Sequence, residues 1–290
     1  VDGPLSAARP GPAPRLLALD IDGTLLRTDK TLSPRTRSAV DAARARGVHV
    51  ALVTGRRHPS ARKVAEELGG DVPLVLHNGA LILDVDDGRT EVLRCRPLPR
   101  ALALETVAVG SRHGADPVVH CGHRGEGRLL VHEGPYSSTL LAYYLDKSHP
   151  DVTACVALEE ELTEDPLQVM FGGRIAEMEA LLPALRGALG SRVKIERTVY
   201  PAQGVGLLDI LEKSVGKAEA LAFLQQRWGI TARETMAIGD NWNDREMLLA
   251  AGVGLVMGNA DPELREMGLP VLPTSDEDGV ATAIEEYILG

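Results

Sequence analysis

Four short stretches of this chain carry residues able to do chemistry together. Asp20-Ile21-Asp22-Gly23-Thr24 follows one apolar run, Thr54-Gly55-Arg56 a second, and Gly239-Asp240-Asn241-Trp242-Asn243-Asp244 a third, while Lys217 opens a helical stretch before the last. The carboxylates of Asp20 and Asp22 are two positions apart, so an extended backbone turns both to one face. There one can attack an electrophile while the other protonates the departing oxygen. Gly23 lets the chain turn sharply after them. If Asp20, Asp22, Asp240 and Asp244 converge they repel, a single like-charged pair at 4 Å costing about 4 kcal/mol at an effective dielectric of 20. Such a cluster persists by binding a cation or by keeping a proton. The donors are hard oxygens with no Cys or His beside them, which suits Mg²⁺ better than zinc. Magnesium held in this way keeps positions open for water and a substrate phosphate. Lys217, at a helix start, adds its ammonium to the helix's own N-terminal field. Thr54 and Gly55 can offer a hydroxyl and a closely approaching N–H to phosphate oxygens.

Those stretches meet only if the apolar runs are neighbouring parallel strands, because open parallel sheets bind ligands beyond the carboxyl ends of their strands. Apolar runs at 16–19, 48–53 and 74–76 alternate with two helical stretches. The first starts at Ser33-Pro34, an N-cap and N1 pair, and ends near Gly47; the second covers 58–68 and stops at Gly69-Gly70. This alternation predicts right-handed crossovers and a parallel sheet. The rhythm breaks where runs at 81–84 and 91–94 flank Asp86-Asp87-Gly88, in which Asp-Gly signals a hairpin. Asp84-x-Asp86-Asp87-Gly88 also has the start of a calcium-loop spacing, but Cys95 takes the twelfth position, where a bidentate Glu is required. Strand-like runs at 118–121, 129–133, 168–171 and 193–196 then mix with helical stretches at 101–113 and 175–189, an α+β pattern. Near 207 the first rhythm resumes, with strands at 207–211 and 235–238, an apolar run at 253–257, and helices at 216–228, 243–250 and 280–289. The expected fold is therefore α/β, a Rossmann-like core of residues 14–83 and 206–290 interrupted by an inserted α+β domain, 84–205. Residues 1–13, with three prolines and two glycines, read as a flexible leader and not as a signal peptide.

Composition narrows the function. Lys plus Arg number 31 against 41 Asp plus Glu, a formal net charge of −10, which disfavours a nonspecific nucleic-acid binder. No uncharged apolar run approaches the roughly 18 residues of a membrane span. Cys95, Cys121 and Cys155 are too few and too scattered for a disulfide framework or a zinc site, and read as reduced thiols of a cytoplasmic protein. His113, His120, His123 and His132 have no metal-ligand spacing. No protein partner is readable.

Taken in order, Asp20-x-Asp22-Gly-Thr, Thr54-Gly55-Arg56, Lys217 and Gly239-Asp240-x-x-Asn243-Asp244 resemble the four motifs of the haloacid dehalogenase (HAD) superfamily. Asn78-Gly79-Ala80, the long insertion, the Ala251-Gly252-Val253-Gly254 and Met257-Gly258-Asn259-Ala260 runs and Asp276-Glu277-Asp278-Gly279-Val280 are similar to its Cof-type sugar-phosphate phosphatases with a C2-type cap. The resemblance spans nearly all of 15–290. It implies a Mg²⁺-dependent phosphatase of small phosphorylated metabolites. Asp20 would be the nucleophile that forms an aspartyl-phosphate and a metal ligand. Asp22 would be the general acid/base, holding the metal through its backbone carbonyl. Thr54, Gly55, Lys217 and Asn243 would bind the phosphoryl group, Asp240 would bind Mg²⁺, and Asp244 would support from beside it. The insertion, as cap, would select the substrate.

Two departures stand out. Ser214-Val215-Gly216-Lys217-Ala218 replaces the family's usual Gly-Val-Ser-Lys-Gly, which makes Lys213 a competitor for the role of Lys217, and Trp242 is larger than the small or polar residue expected there. Arg56, His77 and Asn78 are candidate substrate contacts, though His77 is equally well read as a hydrogen-bonded structural histidine. On the same core, a phosphomutase or a mannosyl-3-phosphoglycerate-type phosphatase is the rival. A noncatalytic phosphate-binding regulator would be marked by loss of Asp20 or Asp22, and both are present.

Overall fold

The structure is a computed structural model that describes residues 12–86, 89–136 and 139–290. Most of the leader expected at 1–13 and the Asp87-Gly88 pair of the expected hairpin turn lie outside the described residues.

The chain begins with β1 (Leu16–Leu19), α1 (Pro34–Ala45), β2 (His49–Val53), α2 (His58–Glu67) and β3 (Leu74–Leu76), followed by β4 (Leu81–Asp86) and β5 (Arg89–Cys95). It continues through α3 (Arg100–Arg112), β6 (Pro117–His120), β7 (Leu129–His132), α4 (Thr139–Ser148), β8 (Val152–Cys155), α5 (Leu158–Glu161), β9 (Gln168–Arg174), α6 (Ile175–Leu189), β10 (Val193–Tyr200) and β11 (Val205–Glu212). It closes with α7 (Lys217–Trp228), β12 (Thr235–Gly239), α8 (Arg245–Ala250), β13 (Val253–Val256), α9 (Pro262–Arg265) and α10 (Gly279–Ile284).

Two sheets result. The first has the order β13-β12-β1-β2-β3-β4-β5, parallel from β13 to β3 and antiparallel beyond. All four residues of β1 are buried, as a central strand covered on both faces requires. Leu17 and Leu19 pack with residues of α1, α2 and α10, whereas Leu16 and Ala18 pack with residues of α7 and α8. Ser33 caps α1 as its sequence predicts, its hydroxyl accepting the Thr36 N–H at 3.0 Å. The second sheet, β10-β11-β9-β6-β7-β8, is antiparallel except for its β7–β8 pair. Here the period of two divides the side chains between the faces. Val119, Val169, Phe171, Leu208 and Ile210 join the apolar core with α3 and α6. The alternate residues His120, Gln168, Met170, Leu207 and Asp209 line a cavity on the other side.

Sheet membership corrects the expected boundaries at 84 and 206. The β4–β5 hairpin continues the first sheet through antiparallel pairing with β3, so the chain leaves that sheet after its fifth strand and not its third. The run at 207–211 belongs to β11, which pairs with β9 and β10 along almost its whole length. Its apolar residues looked like a resumed core strand because a strand with one face on a packed core and one on a partly apolar cavity shows little alternation. We therefore place the insertion between about residues 96 and 213. No helix among the described residues is long and apolar enough to cross a membrane.

Candidate active site

Because β1, β2 and β12 run parallel and in register, their carboxyl ends share one edge. Asp20, Thr54 and Asp240 each follow one of these strands directly. Lys217 reaches the same edge from the first turn of α7, where it is 1% exposed. Its Nζ donates to Asp20 Oδ1 at 2.7 Å and to Asp244 Oδ1 at 2.6 Å. Asp244 Oδ2 in turn accepts the backbone N–H groups of Asp240 (3.1 Å) and Asn241 (3.0 Å). This folds the loop after β12 around one carboxylate. Asp240 Oδ1 accepts the Thr24 hydroxyl at 3.0 Å. Gly23 is at φ +78°, and a Cβ there would lie 2.3 Å from Asp240 Oδ2. Both its backbone conformation and the nearness of Asp240 thus demand glycine.

Burial, and then Asp20 and Asp244, push the Asp240 carboxyl well above its usual range. Burial likewise lifts Asp20 to about 7, against the pull of Lys217. Burial opposes the charge of Lys217, but Asp20 and Asp244 outweigh it and hold the ammonium above its ordinary pKa. One buried cation among three buried acids is a local excess of negative charge, and it favours binding of a further cation. Asp20, Asp240 and Asp244 can each present a carboxylate oxygen within 4.8 Å of the others. These all-oxygen donors fit Mg²⁺.

Asp22 is placed differently. Its carboxylate takes a bidentate pair from Arg56, Nε to Oδ2 at 2.6 Å and Nη2 to Oδ1 at 2.8 Å, and a third bond from Lys30 Nζ at 2.9 Å. Burial raises its pKa, but the Arg56 guanidinium and Lys30 ammonium prevail and hold it at about 2. Its side chain is therefore outside the acidic cluster, and Asp244 completes the trio. Arg56, expected as a substrate contact, is engaged with Asp22, and its N–H donates to Thr54 Oγ1 at 3.1 Å. Lys213 is exposed, so Lys217 holds the position that sequence left contested between them.

Asn243 Nδ2 donates to Asn78 Oδ1 at 2.9 Å, and Asn78 Nδ2 donates to Asp209 Oδ2 at 3.0 Å. Asn78 sits at φ +53°, a left-handed conformation that Asn tolerates better than most residues. Neither Asn78 nor His77 lines the cavity. Asn78 ties the first sheet to the second, and burial with the nearby Arg57 charge pushes His77 down to about 3. The two residues expected to touch substrate are thus interior, because the tight turn after β3 folds them back under the inserted domain.

The cavity, about 840 Å³, lies between this edge and the second sheet, and Asp20, Asp22, Thr54, Gly55, Arg56 and Asn243 line it. Its closure rests on cross-domain bonds that sequence reasoning missed. Arg57 Nη1 donates to Gly127 O at 2.6 Å and to Asp151 Oδ2 at 2.8 Å. Asn241 accepts the Val199 N–H at 3.1 Å and donates to the Val199 carbonyl at 2.7 Å. The 242–244 turn that contains Trp242 lies against β10.

Parallel strands ending in an acidic trio bridged by a buried lysine, under an inserted sheet, define a phosphoryl-transfer type of site. The sequence profile of haloacid dehalogenase-like hydrolases matches residues 17–284, and the chain belongs to that family. It is 30% identical over 280 residues to the HMP-PP phosphatase of Serratia proteamaculans, covering 94% of this chain and 95% of that protein. It is 27% identical to the pyridoxal phosphate phosphatase YbhA of Escherichia coli, covering 95% of this chain and 99% of that protein. Among solved structures, a haloacid dehalogenase-like hydrolase from B. subtilis superposes with a TM-score of 0.78 at 23% identity, over 94% of this chain and 100% of that one. The enzyme class is that of the phosphoric monoester hydrolases.

Proposed function

We propose that the chain is a Mg²⁺-dependent phosphatase of small phosphorylated metabolites that works through an aspartyl-phosphate on Asp20. The observation that carries this reading is the buried Lys217 ammonium joined to both Asp20 and Asp244, with Asp240 in reach of the same point. Lys217 fixes one oxygen of Asp20 and leaves the other to attack phosphorus. Thr54, Gly55 and Asn243, on the cavity wall, receive the phosphoryl oxygens. When bound, Mg²⁺ supplies positive charge that offsets the phosphate and the carboxylates around it. As Asp20 Oδ bonds to phosphorus the ester P–O bond breaks, and the leaving oxygen takes a proton from Asp22. Water then attacks phosphorus, Asp22 takes its proton, and phosphate departs with Asp20 restored. For Asp22 to carry that proton, its bonds to Arg56 and Lys30 must loosen. An incoming phosphate competes for those same two cations.

The cavity of about 840 Å³ and the relatives, which include a 5-amino-6-(5-phospho-D-ribitylamino)uracil phosphatase of Bacillus subtilis, support a metabolite-sized substrate. A phosphate-release screen over phosphorylated metabolites tests the reading. Release is expected with magnesium and is expected to vanish in excess chelator. Full activity in chelator, or none on any substrate with magnesium, overturns it.

A further inference from the structure

The inserted domain meets the candidate site along a second line, outside the cavity. Its edge strand β10 packs against the 241–246 segment, which carries Asn243 and Asp244, and holds it at two points. One is the pair of bonds that Asn241 makes with the Val199 backbone. The other is Lys194, about 17 Å further back along the extended strand. Lys194 Nζ lies 2.5 Å from Glu246 Oε2, in the first turn of α8, and 3.7 Å from Glu219 Oε2, in the first turn of α7. It is also 3.1 Å from Glu196 Oε1 on its own strand. One ammonium from the inserted domain thus ties together two core helices, α7 beginning at Lys217 and α8 just after Asp244. Isolated exposed ion pairs contribute little, but Lys194 and Glu196 are 18% and 13% exposed and belong to one four-charge network.

Gly216 makes the seat for this ammonium. It stands where the family usually has serine, and at φ 179° its backbone is an extended one that any residue adopts. Conformation does not call for glycine here. Room does: a Cβ on Gly216 would lie 2.5 Å from Lys194 Nζ and would press on the Glu219 carboxylate as well. Both neighbours are the ends of flexible side chains, so an added methyl group displaces the ammonium from its partners without distorting the backbone.

We propose that Lys194 is a positioning residue for the loop after β12, fixing that loop to the inserted domain so that Asn243 and Asp244 are held in place only while the domain is docked. The proposal rests on the phosphatase reading, which gives the loop its metal and phosphate contacts. Lys194 touches neither group and acts through α7 and α8. The backbone N–H groups of Asp240, Asn241, Trp242 and Asp244 all donate to acceptors within the loop, so their hydrogen exchange reports its integrity.

The test is hydrogen–deuterium exchange of the intact protein in excess chelator, with magnesium binding followed separately by calorimetry. In Lys194→Met, exchange across 240–246 is expected to quicken about tenfold while the β6–β9 pairs stay as protected as in the parent. Magnesium affinity is expected to fall about tenfold. The direction is diagnostic. Lys194 is a cation beside the residue that precedes Lys217, so charge alone would make its loss tighten magnesium binding. A loosened loop weakens it. Gly216→Ala keeps the charge but displaces it, and should show the same faster exchange and weaker binding, with the double variant no worse than Lys194→Met. If Lys194→Met does not fold, Gly216→Ala carries the same test. Neither readout needs turnover, so a failed phosphatase reading shows in the phosphate-release screen and not here. A parent that binds no magnesium would count against the metal assignment and leave the exchange result to decide. Parental exchange over 240–246 in both variants, magnesium binding unchanged or tighter in Lys194→Met, or protection lost throughout both sheets would each overturn the proposal.

Discussion

The rim of the parallel sheet and the wall of the inserted sheet face the same cavity with opposite chemistry. At the rim the charged side chains are tied to one another: Lys217 bridges Asp20 and Asp244, and Arg56 with Lys30 grips Asp22. On the wall the groups are an amide, imidazole and phenol rings, and a carboxyl that burial lifts to about 7. The rim takes its residues from short loops after parallel strands, where each side chain is fixed by one or two bonds to a neighbouring loop. The wall takes them from alternate positions along antiparallel strands. Charge fixed at the rim suits a reaction common to all phosphate esters. Neutral, replaceable groups on the wall suit selection among them. The division of labour is testable because it assigns different kinds of damage to the two regions.

The largest effect is expected at Asp20. Asp20→Asn keeps the size and most of the bonding but removes the proposed nucleophile, so phosphate release should fall by roughly three orders of magnitude or more. Near-normal release would break the assignment of chemistry to the rim. Lys217→Ala leaves Asp20 and Asp244 buried without their shared cation. Turnover should fall about 10²–10³-fold, and urea denaturation should show about 3–5 kcal/mol of lost stability. The exposed Lys213→Ala should do neither. Gly23→Ala sharpens the comparison within the rim, since its Cβ would press on Asp240 Oδ2. Magnesium affinity, read by titrating activity with the metal, should drop about tenfold or more, alongside about 1–2 kcal/mol of backbone strain.

The effect expected at the wall falls on stability and not on the chemistry. Burial raises Asp209 from 3.8 to about 7. Below about pH 4 the carboxyl is protonated whether or not the chain is folded, and its burial carries no charge penalty. Between about pH 4 and 7 the unfolded chain ionises the group while the folded protein still holds its proton, so stability falls across that window and levels off above about 7. Asp209→Asn should flatten the fall in stability between about pH 4 and 7 by at most about 1.4 kcal/mol per pH unit. A variant that tracks the parent throughout would show Asp209 to be no different from a solvated carboxylate.

Much of the rim was legible because its residues stand next to strong signals. Asp20, Thr54 and Asp240 each follow an apolar run directly, and Lys217 begins a helix. The wall was not legible. His120, Gln168 and Asp209 stand within otherwise apolar strands, and only the register of β6, β9 and β11 places them side by side. Lys30 and Arg57 were missed because their roles depend on partners that motif spacing does not encode, Asp22 in one case and a cap loop in the other. The boundaries failed for a related reason. Whether a strand joins one sheet or another is decided by its pairing partner, and the apolar content of β11 does not name that partner. A signal was available for Asn78: a residue before glycine in a tight turn after a strand commonly adopts a left-handed backbone, which predicts an inward role.

β1 aligns Leu16 with Thr235, so the middle of the catalytic sheet cannot form until nearly the whole polypeptide exists. The inserted domain, by contrast, is a single uninterrupted segment that contains all its own strands. A ribosome releases that segment well before β12, and it can condense while β1 to β5 still lack their central neighbour. Once folded, it holds its two connections close together, replacing a flexible loop of more than a hundred residues by a rigid clasp and lowering the entropy cost of closing the outer sheet. The inserted domain thereby also serves as a scaffold for assembling the acidic edge beneath it.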